Sequence, residues 1–310
     1  MLAAGLIRAQ GIDVLALFFE TPFFTHQKAK KSAQSIDLPF KVVNISERHL
    51  EMVKRPKHGY GGNMNPCIDC HALMFRIAGE MLEKEGASFI LTGEVLGQRP
   101  MSQNKKSLNL VASESGYGDF LIRPLSAKHL PLSIPEEKGW VKRDLLMGFQ
   151  GRSRKPQMEM ATRLKIEGYP TPAGGCLLTE KAFSRRLKDL ITFQKDPEIR
   201  EIELLKLGRH FRIAPFAKLV VGRNKNENET IRALSGSKDL ILKCANEPGP
   251  TVLGLGDFHD ASLKLAAAIT AAYSDAEEGE TTTVSIEAHA EERLLTTISP
   301  GKNNFRRYML

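Results

Sequence analysis

Apolar positions recur at two periods along the first 130 residues, and the alternation between them predicts an α/β domain. Leu2, Leu6, Ile7 and Ala9 lie on one helical face over residues 1–10, which Gly11 closes. Residues 13–19 then carry an unbroken run from Val14 to Phe19, the pattern of a strand buried on both faces of a parallel sheet. A helix is predicted over 24–36, a strand over 41–45 and a helix over 47–54. A longer helix over 67–85 turns Ile68, Leu73, Ile77, Met81 and Leu82 to a core and stops at Gly86. Strands over 88–92 and 120–125 complete the set, the last ended by Pro124, which cannot extend a central ladder. Strands separated by helices predict a Rossmann-like, doubly wound parallel sheet.

The pattern changes after residue 130. Prolines and charges dominate 131–151, a helix is predicted over 156–167, and a linker over 196–200. From Leu207 short β-branched segments alternate with basic side chains. The alanine-rich run from Leu263 to Tyr273 is apolar on most faces, a core helix, and 281–286 is a late strand. The expected organisation is an α/β domain over 1–130, an extension over 131–200 and a smaller α+β domain over 201–310.

Charge adds a partner. Forty-four Lys and Arg against 36 Asp and Glu leave a net +8 and a pI near 9.3, which favours an anionic partner. Arg152, Arg154 and Lys155 form one basic group. Arg209, His210, Arg212 and Arg223 form another, and Phe305-Arg306-Arg307-Tyr308 interleaves cations with aromatics. That mixture suits RNA, where phosphates and exposed bases are both on offer, although a merely solvated basic face has the same composition. No apolar run approaches a membrane-spanning length, and the start has no basic region or cleavage site, so a cytoplasmic protein without a membrane partner is expected.

The cysteines add chemistry. Cys67 and Cys70 are three apart, and Pro66 starts a helix there, so both thiols share a face at the positive end of a helix dipole. Such a pair in a reducing compartment is a metal site or a nucleophile. The glycine-rich loop 56–63 before it has the flexibility of a gate. Cys176 follows Pro170-Thr171-Pro172-Ala173-Gly174-Gly175, where two glycines let the backbone approach something closely, and Cys244 is a core residue. Thr92, Gly93, Glu94, Gly97, Gln98 and Gln103 lie just past a strand's carboxyl end, where open α/β sheets bind ligands.

Thr92-Gly93-Glu94-Val95-Leu96-Gly97-Gln98, with Ser102-Gln103 and Ile122-Arg123-Pro124-Leu125, resembles the ATP-pyrophosphatase (PP-loop) domain of tRNA 4-thiouridine synthetases, a HUP-type fold. Asn65-Pro66-Cys67 and Gly174-Gly175-Cys176 are similar in placement to the two reactive cysteines of the tRNA 2-thiouridylases. Residues 207–223, Gly249-Pro250-Thr251, Ala266-Ala267-Ala268 and Tyr273-Ser274 resemble the NFACT-R type of RNA-binding domain. The resemblance implies that ATP with Mg2+, bound by the residues after the strand, adenylates a uridine oxygen in tRNA or another structured RNA. Sulfur from a donor such as a cysteine desulfurase then replaces it. The family's Ser-Gly-Gly-x-Asp-Ser phosphate loop does not occur in the sequence. The sheet is accordingly expected to lack its first strand, and the reading frame to begin too late, at an internal methionine.

Two forms of sulfur activation are open. Cys67, Cys70 and Cys176 could ligate a [4Fe-4S] cluster that leaves one iron for sulfide. Alternatively Cys176 carries a persulfide that Cys67 or Cys70 resolves as a disulfide. Zinc with His71 as fourth ligand is disfavoured, because adjacent Cys70 and His71 project differently from a helix. The rival readings are a non-catalytic RNA-binding protein with a degenerate α/β domain, and sulfur removal at the same cysteines without ATP.

Overall fold

A computed structural model describes residues 1–167, 169, 175–288 and 291–310. The chain divides into two compact units, Met1–Thr179 and Glu180–Leu310. Among the described residues no helix is long and apolar enough to cross a membrane.

The first unit is mixed α/β. Helix α1 (Leu2–Arg8) buries Ala3, Ala4, Leu6 and Ile7. Strand β1 (Ala16–Glu20) runs parallel to β2 (Phe40–Asn44) in register from Ala16–Phe40 to Glu20–Asn44, with α2 (Gln27–Gln34) between them in sequence. Helices α3 (Ser46–Lys54) and α4 (Cys67–Glu80) follow. A second parallel pair joins β3 (Ile90–Leu91) to β4 (Leu121–Ile122) around α5 (Lys105–Ser115). The short α6 (Ile134–Glu137) and then α7 (Lys155–Arg163) complete the unit.

The parallel sheet, expected to lack its first strand, is not one continuous ladder: β1–β2 and β3–β4 are separate two-stranded parallel sheets. Leu17 and Phe19 of β1 pack beside Ile90 and Leu121, so the two pairs meet through side chains and not through backbone hydrogen bonds. The strand expected to be fully buried is consequently half-buried at every position, and Leu15 just before it is 39% exposed. An apolar run gives a buried strand only when both faces of its sheet are covered.

The second unit is built on a six-stranded antiparallel sheet. Helices α8 (Lys181–Phe193) and α9 (Ile199–Leu204) precede β5 (Arg209–Ala214) and β6 (Ala217–Val221). Then come α10 (Lys225–Ala233), β7 (Leu240–Cys244), β8 (Val252–Gly256), α11 (Asp260–Ala272), β9 (Thr281–Ala288) and β10 (Glu291–Ile298). The strand order is β10-β9-β7-β8-β6-β5. Phe211, Leu219, Val221, Leu242 and Val252 face Ala266, Ala267 and Ile269 of α11. Val220 and Leu253 point the other way, onto Leu204 of α9 and Ile231 of α10. Because successive side chains alternate across a strand, helices on both sides leave all of β6 buried. Cys244 packs at the rim of the α11 core, as expected. The expected linker at 196–200 instead contains the start of α9, closed by a capping box between Glu198 and Glu201. The basic tail is a 3₁₀ segment, Lys302–Tyr308, that buries Phe305.

Candidate functional site

Helix α4 begins at Cys67 with Pro66 as its N-cap, and the Cys70 amide donates to the Pro66 carbonyl at 2.8 Å. The preceding loop is tied to this start and is not a free gate. The Gly61 amide donates to the Asn65 carbonyl, the Asn63 amide to Asn65 Oδ1, and the His58 amide to Asp69 Oδ2, all within 3.1 Å. Asn65 Nδ2 also approaches Cys67 Sγ at 3.4 Å.

Cys176 reaches the same place from far along the chain. Its strap is pinned at both ends: the Leu177 amide donates to the Phe23 carbonyl at 3.1 Å, and Asn63 Nδ2 donates to the Thr179 carbonyl at 2.8 Å. Leu178 is buried beneath it. The approach expected over Pro170 to Gly174 lies outside the described residues. The three thiols feel one another: burial, then the charges of Cys176, Cys67 and Asp69, push the Cys70 thiol far above its ordinary range. Its sulfur lies 3.2 Å from His49 Nε2. His49 is fully buried against the Phe23 and Phe24 rings, and burial pulls its imidazole down to about 4.

One turn along the same face of α4 from Cys67 stands His71. Its Nδ1 is 2.8 Å from Glu94 Oε1, while Glu94 Oε2 accepts from Arg123 Nε at 2.8 Å. Arg123 also donates to the Leu108 carbonyl. Burial alone would raise the Glu94 carboxyl; its contacts with His71 and the Arg123 guanidinium outweigh it and hold it below the usual range. Glu94 is therefore not placed to hold a nucleotide, because it is 4% exposed and both of its oxygens are engaged. Gln103 is also buried; its carbonyl receives the Gly97 amide at 2.7 Å, and Gly97 has a left-handed φ of 76°, so this pair shapes a turn. The Thr92 amide extends the ladder to the Ile122 carbonyl. Gly93 and Gln98 line a cavity of about 780 Å³, walled by Leu17, Leu38, Phe40 and Met158, with Arg154 at its edge. Arg152 and Lys155 are exposed at the start of α7.

Among the described residues no group of three or more His, Cys, Asp or Glu side chains is placed to hold a metal ion. Without a bound cation, Cys70 beside His49 stays a neutral thiol.

The basic residues of the second unit divide sharply. His210 is fully buried, with Nε2 on the Leu207 carbonyl, and does not reach an external RNA. Arg212 is held by both oxygens of Asp189 at 3.0 and 2.7 Å, and Arg223 by Glu227 one turn on. Arg209 has no acidic partner among the described residues and lies 5.2 Å from the centre of the Tyr273 ring.

The bonding roles of His49 and Arg123 were not legible locally, because their partners stand 21 and 29 positions away.

Residues 208–309 match the family described as the NFACT protein RNA binding domain. No curated protein matches the chain. Among solved structures, the C-terminal part of the fibronectin/fibrinogen-binding protein from Streptococcus suis aligns with 85% of this chain and 98% of its own, at 13% identity and a TM-score of 0.30.

Proposed function

We propose that the chain is an RNA-directed sulfur-transfer enzyme that replaces a uridine oxygen with sulfur at the site formed by Cys67, Cys70 and Cys176. The observation that carries this reading is the convergence of three thiols from two distant segments, with a carboxylate-held histidine on the same helix face. RNA as the partner is supported by the match over residues 208–309.

In this reading Cys176 carries a persulfide whose outer sulfur comes from a donor of the cysteine desulfurase class. That sulfur attacks the uridine carbon, and the activated oxygen leaves with its adenylate. Cys67 then attacks Cys176 Sγ. The bond between Cys176 and the transferred sulfur breaks, its electron pair stays with the RNA sulfur, and a Cys67–Cys176 disulfide remains for an external dithiol to reduce. Cys70, protonated and held by His49, keeps the inner wall of the site neutral. His71, oriented by Glu94, is placed to exchange a proton beside Cys67. Activation of the oxygen by ATP is implied by the family resemblance. The cavity bordered by Gly93, Gln98 and Arg154 has the size and walls for a nucleoside, while the sequence contains no phosphate loop of the family's kind. We also read β1–β2 and β3–β4 as two flanks of one Rossmann-like sheet, which their shared parallel pairing and side-chain contact support.

The test is sulfur loading. Incubated with a cysteine desulfurase and labelled cysteine, the protein should gain one reducible sulfur on the Cys176 peptide, and Cys176→Ser should lose both the label and RNA thiolation. Full thiolation by Cys176→Ser sinks this reading. Iron and visible absorption in anaerobically purified protein would replace the persulfide with a cluster. RNA binding without any sulfur loading would leave the non-catalytic RNA-binding protein, which the domain match favours.

A further inference from the structure

Part of the positive charge of residues 180–310 is spent inside the unit. Asp189 takes Arg212 and Lys218, Glu227 takes Arg223, Asp239 takes Arg200, Glu203 takes Lys206 and Glu287 takes Arg232. Arg186 donates to the Leu205 and Gly208 carbonyls. Of the cations without an acidic partner among the described residues, the fold gathers Arg185, Arg209, Lys302, Arg306 and Arg307. Phe305 anchors the terminal 3₁₀ segment in the core, Met309 bridges to Phe211, and the Leu310 amide donates to the His210 carbonyl. These contacts lay the segment along β5, beside Arg209. From α8, Arg185 Nη2 donates to the Met309 carbonyl at 2.8 Å and joins the group.

The aromatics in this patch are already occupied. Arg209 and Lys302 approach the Tyr273 ring to 5.2 and 5.7 Å, and that ring also packs on Phe211. Arg307 covers Tyr308 at 4.7 Å. A ring in contact with a guanidinium or an ammonium steadies the cation and is not a free stacking face for a base. Glu278, against Gly301, marks the acidic edge of the patch.

We infer that this unit grips RNA by its phosphate backbone through Arg185, Arg209, Lys302 and Arg307, with Tyr273 and Tyr308 serving as rests for the cations and not as base-stacking platforms. The inference rests on the RNA part of the proposed function and is independent of its sulfur chemistry. Point charges on phosphates carry no sequence information, so the grip is tolerant of sequence and steeply salt-dependent.

The experiment uses the full chain, with fluorescence anisotropy on oligo-A, oligo-U and a hairpin RNA across a salt series. Arg185→Gln, Lys302→Gln and Arg307→Gln, all at exposed positions, are combined in one variant, and Arg232→Gln, whose charge Glu287 already holds, is the control. Removing three phosphate contacts should lower the magnitude of the log–log salt slope by about 2 and weaken all three RNAs alike. The control should behave as wild type. A triple variant that keeps the wild-type slope overturns the assignment of the surface while leaving RNA binding intact. A base preference that disappears in Tyr308→Ala overturns the backbone-only reading. Wild-type protein that binds none of the RNAs overturns the RNA reading itself.

Discussion

His49 Nε2 stands 3.2 Å from Cys70 Sγ, and both groups are neutral at pH 7 for the same reason: protein has replaced water around them. An imidazole that titrates at about 4 when folded and near its ordinary 6.5 when unfolded binds its proton more readily in the unfolded chain. Stability therefore rises with pH across that window and is lost as pH falls through it, by about 3 kcal/mol in all. Urea unfolding followed between pH 7 and 4 should show this loss, and His49→Gln should flatten it even if that variant is less stable at pH 7.

The same pairing ranks the thiols. Cys70 gives up its proton only far above neutrality, so iodoacetamide should modify it at least ~10-fold more slowly than Cys67 in folded protein at pH 8. Peptide mass spectrometry against time reads the order directly. Equal rates would mean that Cys70 is not enclosed as described.

Glu94→Gln should cost on the order of 3 kcal/mol, because it leaves the buried Arg123 guanidinium without its counter-charge. Denaturant midpoints measure it. A fall in stability shared by Arg123→Met and not deepened in the double variant would confirm that the two act as one unit.

Gly79 sits inside α4, where alanine would ordinarily stabilise a helix by about 1 kcal/mol. Here an added Cβ would fall 2.2 Å from the Tyr117 ring. Overpacking costs about 1–3 kcal/mol, so Gly79→Ala should lower the melting temperature despite its better propensity. Combining it with Tyr117→Leu should recover part of the loss.

Local signals carried well from sequence to structure. Pro66 and the Cys67–Cys70 spacing located the start of α4, and the alanine-rich run located α11, because both depend on residues within a few turns. What depended on distant partners was illegible. Nothing near Val14 to Phe19 reveals that β1 pairs on one side only, and nothing near Glu94 reveals Arg123 and His71. The basic residues of the second unit showed the same limit. Arg209 and Arg212 look alike in sequence, but only the second finds Asp189 across the fold.

The six-stranded sheet has unequal ends. At β5 the last residues of the chain lie along the edge, through the Phe211–Met309 bridge and the bond from Leu310 to His210. At β10 no further strand pairs among the described residues, and Leu294 is 67% and Ile298 61% exposed. A sheet blocked on one side can accept a foreign strand only on the other. Two such molecules joined edge to edge at β10 use up the one unpaired edge of this six-stranded sheet, so association through this sheet stops at a pair and does not propagate into a fibre.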